Sequence, residues 1–237
     1  MKTVLITGAN RGIGFETARQ LGQKGFRVYM GCRDRHKGDE AAKILKKENL
    51  DVIPVKLDVT STKDIRDFLE KLKTDRFNLD ILINNAGVFL ESDGPTDTET
   101  ASLFKVDPVI ILKTIEANTM GPLKLIQSLV PMMMEKNSGR VINISSGMGQ
   151  LKGMQGLWPG YRISKTALNS LTCILSSEVE NYNIFVNSVC PGWVRTDMGG
   201  DKANLSVEEG VQTIVWLATC DRPPKGKFLQ NKKEIPW

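Results

Sequence analysis

Short apolar runs, each followed by a longer amphipathic stretch, recur along this chain, and no other feature limits its possible folds so tightly. The runs lie at 4–7, 27–31, 52–57, 80–84, 140–145 and 184–189. They are dense in Val, Ile and Leu with little strict alternation, as strands buried on both faces are. Between and after them the periodicity predicts helices over 14–24, 37–48, 62–73, 108–135 with a break near Gly121-Pro122, 160–180 and 206–218. Gly25 and Asn49 stand where helix C-caps belong, and Ser61-Thr62 where an N-cap belongs. Strands alternating with helices of this length mean βαβ units with right-handed crossovers. The expectation is an α/β fold: one doubly wound parallel sheet of about seven strands with helices on both faces. No linker, repeat or shift of composition divides 1–237, so a single domain is expected.

Of the 237 residues, 41% are hydrophobic and 25% charged, enough for a sizeable core and too apolar for disorder. No apolar run approaches the ~18 residues of a membrane span. The first residues lack a secretory core, and Cys32, Cys173, Cys190 and Cys220 are scattered, which reads as reduced, buried thiols. A cytoplasmic location is expected. The cysteines form no ligand spacing and His36 is the one histidine, so no metal site is expected. The net charge of +5 comes from bases interleaved with acids, as at 43–48 and 232–234, and reads as a solvated surface. Neither nucleic acid nor membrane is an expected partner.

In a doubly wound sheet, ligands bind beyond the C-terminal strand ends. The first run leads into Gly8-Ala9-Asn10-Arg11-Gly12-Ile13-Gly14 and then a helix. Glycines there allow a tight turn, close approach to a pyrophosphate and close packing of helix on strand, and the helix N-terminus favours an anion. This is the phosphate-binding end of a Rossmann fold. The second run ends at Cys32-Arg33-Asp34. An acid at the tip selects NAD through the ribose 2′-hydroxyl, whereas Arg33, with Arg11 nearby, matches the 2′-phosphate of NADP. NADPH/NADP+ is the expected cofactor, with Asp34 the residue that a one-position shift would turn against it. Asp58-Val59 follows the third run, where a carboxylate accepts from an adenine amino group, and Asn84-Asn85-Ala86-Gly87 follows the fourth with small residues beside the adenosine ribose.

Tyr161 and Lys165 stand four apart at the start of a predicted helix and therefore on one face. An ammonium, joined by the charge of an oxidised nicotinamide, lowers a phenol's pKa from near 10 and makes it a usable general acid/base. Ser146, at the end of the preceding strand, is placed to donate to the same substrate oxygen.

In these motifs the chain resembles the short-chain dehydrogenases/reductases over its whole length: TGANRGIG (7–14), DV (58–59), NNAG (84–87), NISS (143–146), YRISK (161–165) and PG (191–192). The segment CPGWVRTDM (190–198), with Glu208-Glu209-Gly210, Gly226, Phe228 and Trp237, resembles the carbonyl reductase branch. The resemblance implies a catalytic set in which Tyr161 donates the proton, Ser146 polarises the carbonyl and Lys165 lowers the Tyr161 pKa while holding the nicotinamide ribose. Asn118 would extend a water-mediated proton relay to Lys165. It also implies cofactor contacts at Gly8, Asn10, Arg11, Gly12, Ile13, Gly14, Arg33, Asp58, Val59, Asn85, Pro191, Gly192, Val194 and Thr196, with Val194 binding the amide. Trp193 and Met198 become candidates for the substrate wall.

The resemblance implies reduction of a small-molecule ketone or aldehyde by transfer of the pro-S hydride. Leu151, Met154, Leu157, Trp158 and Trp193 near the expected cleft point to apolar or aromatic substrates. Loops at 88–98, 147–160 and 193–205 would border it, and Gly199-Gly200 reads either as a lid hinge or as a loose surface turn. Two other readings stay open: an alcohol or steroid dehydrogenase using NAD(P)+, and a regulator that senses the NADPH/NADP+ ratio without turnover. Monomeric carbonyl reductases carry a long insertion before the tyrosine, and here only 147–160 stands there. The helices around 108–135 and 160–180 are thus left free to pair, and a homodimer or homotetramer is expected. Met132-Met133-Met134 reads as packing.

Overall fold

Val4 and Ile6 of the first strand belong to one hydrophobic core and Leu5, between them, to another. Both faces are apolar because both are covered, which is why the strands read as continuous apolar runs. The computed structural model describes residues 1–75, 78–91 and 101–237. Strands β1 (Thr3–Thr7), β2 (Arg27–Cys32), β3 (Val52–Lys56), β4 (Ile81–Asn84), β5 (Gly139–Ile144), β6 (Ile184–Val189), β7 (Lys227–Gln230) and β8 (Lys233–Glu234) form one sheet in the order β3-β2-β1-β4-β5-β6-β7-β8. Val4 pairs with Val28 of β2 and Leu5 with Leu82 of β4, in parallel register.

Ala18 and Leu21 of α1 (Gly12–Gln23) and Ala41 and Leu45 of α2 (Arg35–Lys47) fill the first core. Ile65 and Phe68 of α3 (Thr62–Asp75), and Leu125 and Leu129 of α5 (Gly121–Glu135), fill the second. The remaining helices are α4 (Pro108–Ile115), α6 (Pro159–Glu178), α7 (Val207–Gly210) and α8 (Gln212–Thr219). The chain reverses its direction of winding between β1 and β4, and their C-terminal ends open the crevice where ligands of such sheets bind.

The doubly wound architecture is the expected one, with four differences of detail. The sheet has eight strands, and the last is antiparallel: Asn231 and Lys232, at φ 50 and 61, turn β7 back onto β8. Two consecutive positive φ values are what a two-residue hairpin turn requires. The helix expected over 206–218 breaks at Val211 into α7 and α8. The break expected near Gly121 is a π-helical turn, Glu116–Met120, which joins α4 to α5. Of the cysteines expected to be buried, Cys32 and Cys190 are, whereas Cys173 is exposed and Cys220 half-buried. Met133 packs in the second core as expected. Among the described residues no helix is long and apolar enough to cross a membrane.

Candidate active site

Helix α1 starts with no side-chain cap at Arg11 and no acid in its first turn, so its leading N–H groups remain available to an anion. Gly8 and Gly12 take positive φ values, and a Cβ on Gly14 would lie 2.4 Å from the Gly8 carbonyl oxygen and 2.5 Å from Asn85 Nδ2. That contact seats the helix start directly on the strand end. The loop fits a dinucleotide pyrophosphate. Arg33 is exposed at the tip of β2, while the neighbouring Asp34 caps α2 by accepting from Lys37 N at 3.2 Å. The carboxylate that would have argued for NAD is thus used locally.

Other expected cofactor residues are occupied in ways the sequence does not disclose. Arg11 pairs with Asp197 across the crevice, and a Cβ on Gly12 would meet Thr196 Cγ2 at 3.2 Å. Asn85 Nδ2 donates to Thr7 O at 2.8 Å and Gly8 O at 3.2 Å, so that amine braces the glycine turn. One oxygen of Asp58 accepts from Thr60 N and Oγ1. Val59 is buried under Gly121, and Val194 is buried against Gly210. Asn10, Pro191 and Gly192 are half-buried on the loops after β1 and β6, and Ile13 is half-buried in the first turn of α1. The 193–205 loop is held by its own bonds, among them Trp193 Nε1 to Gly199 O at 2.8 Å and Arg195 N to Leu205 O at 2.9 Å. Trp193 and Met198 keep much of their surface open. The expected 88–98 loop is described only to Glu91; positions 92–98 lie outside the described residues.

Asn118 lies in the π-helical turn, a feature frequent at functional sites, and is buried rather than facing solvent. Its Oδ1 accepts from Val88 N at 2.7 Å, and its Nδ2 donates to Val88 O at 2.9 Å and Ser164 Oγ at 3.0 Å. Ser146 lies two residues beyond β5 and caps the next turn, accepting from Met148 N at 3.1 Å. Gly149 packs so closely on α6 that a Cβ would come 2.7 Å from the Lys165 carbonyl carbon, which fixes that turn against the helix. Lys165 Nζ donates to Ile144 O at 2.8 Å and lies 5.6 Å from the centre of the Tyr161 ring. A Cβ at Gly87 would stand 3.2 Å from Asn118 Oδ1 and 3.6 Å from Lys165 Nζ, so both side chains border one open point.

Burial pushes the Tyr161 phenol up to about 12, Cys190 adds to the rise, and a hydrogen bond with Ser146 opposes it. Burial likewise draws the Lys165 ammonium down to about 8. The hydrogen bond with Ser146 lowers the phenol's pKa, and the Lys165 ammonium lies on the same side of the site, bonded to a strand carbonyl. Two further residues at the site, Glu91 and Phe89, carry no motif in the sequence. Glu91 accepts from Gly160 N and Tyr161 N, and the Phe89 ring lies 4.8 Å from that of Tyr161. The available hint was a helix opened by Trp158-Pro159, which has no capping side chain of its own.

A family model described as short chain dehydrogenase matches residues 2–205. The (+)-neomenthol dehydrogenase of Arabidopsis thaliana is 32% identical over 290 aligned positions, covering 97% of this chain and 96% of that protein. An NADPH carbonyl reductase of Rattus norvegicus is 32% identical over 280 positions, covering 98% and 97%. Both alignments run longer than this chain, so these relatives hold segments it lacks. The crystal structure of NADPH-bound carbonyl reductase from chicken fatty liver superposes with a TM-score of 0.85 at 30% identity, covering 100% of this chain and 99% of that one.

Proposed function

This chain belongs to the short-chain dehydrogenase family, and on that premise we propose that it reduces a ketone or aldehyde to the alcohol. It is an NADP-dependent oxidoreductase. In this reading the first turn of α1 holds the pyrophosphate, Arg33 the 2′-phosphate and Asp58 the adenine amino group. Arg11 leaves Asp197 to join the phosphate. Val194 meets the amide, and Lys165 holds the nicotinamide ribose. Bound NADPH supplies the hydride. Tyr161 protonates the developing alkoxide, Ser146 donates to the same oxygen, and Asn118 carries the proton path onward to Lys165 through water.

The reductive direction is supported by the likeness to NADPH carbonyl reductases and by the buried Tyr161 phenol, whose raised pKa leaves its proton in place at neutral pH. A proton donor must begin the reaction in that state. Oxidation of an alcohol by NADP+ needs the phenolate instead. The likeness to a protein named as a dehydrogenase supports that second reading. Residues 1–237 act as one domain in the cytoplasm, and residues 88–91 with the loops 147–160 and 193–205 frame an apolar substrate with Trp193 and Met198 on its wall. A panel of ketones, quinones and aldehydes, followed by NADPH absorbance at neutral pH, tests the proposal. Turnover of apolar carbonyls is expected. Turnover only of alcohols with NADP+ transfers the assignment to the dehydrogenase reading, and tight NADPH binding without any turnover transfers it to a sensor of the cofactor ratio.

A further inference from the structure

Helix α6 carries Tyr161 and Lys165 but does not cap its own start. Its N-cap residue, Trp158, sits at φ 50 and ψ 52 and supplies no side-chain acceptor. Glu91, from the loop after β4, supplies it across the chain. Oε1 accepts from Gly160 N at 2.6 Å and Oε2 from Tyr161 N at 2.7 Å, with the side chain 5% exposed. A Cβ at Gly160 would lie 3.3 Å from the Glu91 carboxyl carbon and 3.1 Å from Ile111 Cα, so glycine at this position leaves room for the carboxylate. A carboxylate suits the positive end of a 20-residue helix. The next residue, Arg162, is 8% exposed and is drawn to the charge of Glu91. Its guanidinium donates to Leu157 O at 2.9 Å and to Met148 O at 3.5 Å.

We propose that Glu91 is a positioning residue for the reaction. It acts through the Tyr161 backbone amide and sets the phenol against Ser146 and Lys165. Together with Arg162 it binds the loops after β4 and β5 to the first turn of α6. The inference rests on the reading of Tyr161 as proton donor. A carboxylate that only stabilised the helix would change the melting temperature and leave the rate per folded molecule untouched. A misplaced reacting group lowers kcat. Cofactor affinity changes little, because the phosphates are held by the elements β1, α1 and the end of β2, while the elements Glu91 joins bring only Lys165 and Asn85 to the cofactor riboses.

The test compares wild type, Glu91→Ala and Glu91→Gln by kcat per folded enzyme, by NADPH Kd and by hydrogen exchange of the amides at 160–166. The alanine variant is expected to lose about tenfold or more in kcat, with Kd within about twofold and faster exchange at 160–166. Glutamine keeps one carbonyl acceptor and turns an amine toward the second amide, so it recovers part of the loss. An alanine variant with unchanged kcat and a lowered Tm overturns the proposal. Should Glu91→Ala not fold, Glu91→Gln decides: a lower kcat at constant Kd supports the proposal, and an unchanged kcat overturns it. Should wild type reduce no carbonyl, the reading of Tyr161 fails on its own. The exchange data then still bear on Glu91, and unchanged protection at 160–166 overturns its role.

Discussion

Burial acts on Tyr161 and Lys165 in opposite senses, and the two shifts leave opposite marks on stability. Desolvation lowers Lys165 from 10.5 to about 8 in the folded chain. Below pH 8 both states hold the proton, and the folded state carries a desolvated ammonium at full penalty. Between 8 and 10.5 the unfolded chain keeps a proton that the folded chain has released, so stability from this group rises with pH. For Tyr161, raised from 10.0 to about 12, the contribution is favourable below pH 10 and is lost toward 12. Lys165→Met removes the first effect alone. Its melting temperature relative to wild type is therefore expected to be more favourable at pH 7 than at pH 9.5. A difference between variant and wild type that does not change with pH, or that grows with it, contradicts the buried-ammonium account.

The helices that hold the site also present apolar surface that stays exposed among the described residues. Val109 and Leu112 on α4, and Ile163 and Ile174 on α6, are between 44% and 66% exposed. The two helices pack against one another. We propose that this surface pairs with a second copy, as the short 147–160 segment before Tyr161 leads one to expect. Light scattering at micromolar concentration should give a multiple of the 26.3 kDa chain mass. A single species at that mass contradicts the pairing. At this scale the sequence was most legible where periodicity is strong: six of the strands, and the helices flanking them, follow from apolar runs. The β7–β8 hairpin did not, because its turn is Asn231-Lys232 without a glycine and β8 is only two residues long. The π-helical turn has no periodic signal of its own. The asparagine it buries came from family likeness, not from the pattern.

Across the whole molecule, the C-terminal ends of the sheet's strands gather residues that lie far apart in sequence. The glycine loop follows β1, Gly87 and Glu91 follow β4, Ser146 follows β5, and α6 brings Tyr161 and Lys165 back beneath them. Tyr161 and Lys165 were legible because one helical turn links them. Ser146 was legible because the β5 run ends there. Glu91 was not, since 69 positions separate it from Gly160 and only the folded sheet brings them together. Arg11 was legible as a cation and not as the partner of Asp197 for the same reason. The account turns on Tyr161 as the proton donor, and single-turnover reduction by Tyr161→Phe with NADPH already bound tests that most directly. The phenylalanine variant should bind NADPH with unchanged affinity and lose on the order of a thousandfold in the rate of reduction. A variant that keeps more than a few per cent of the wild-type rate would show that another group delivers the proton.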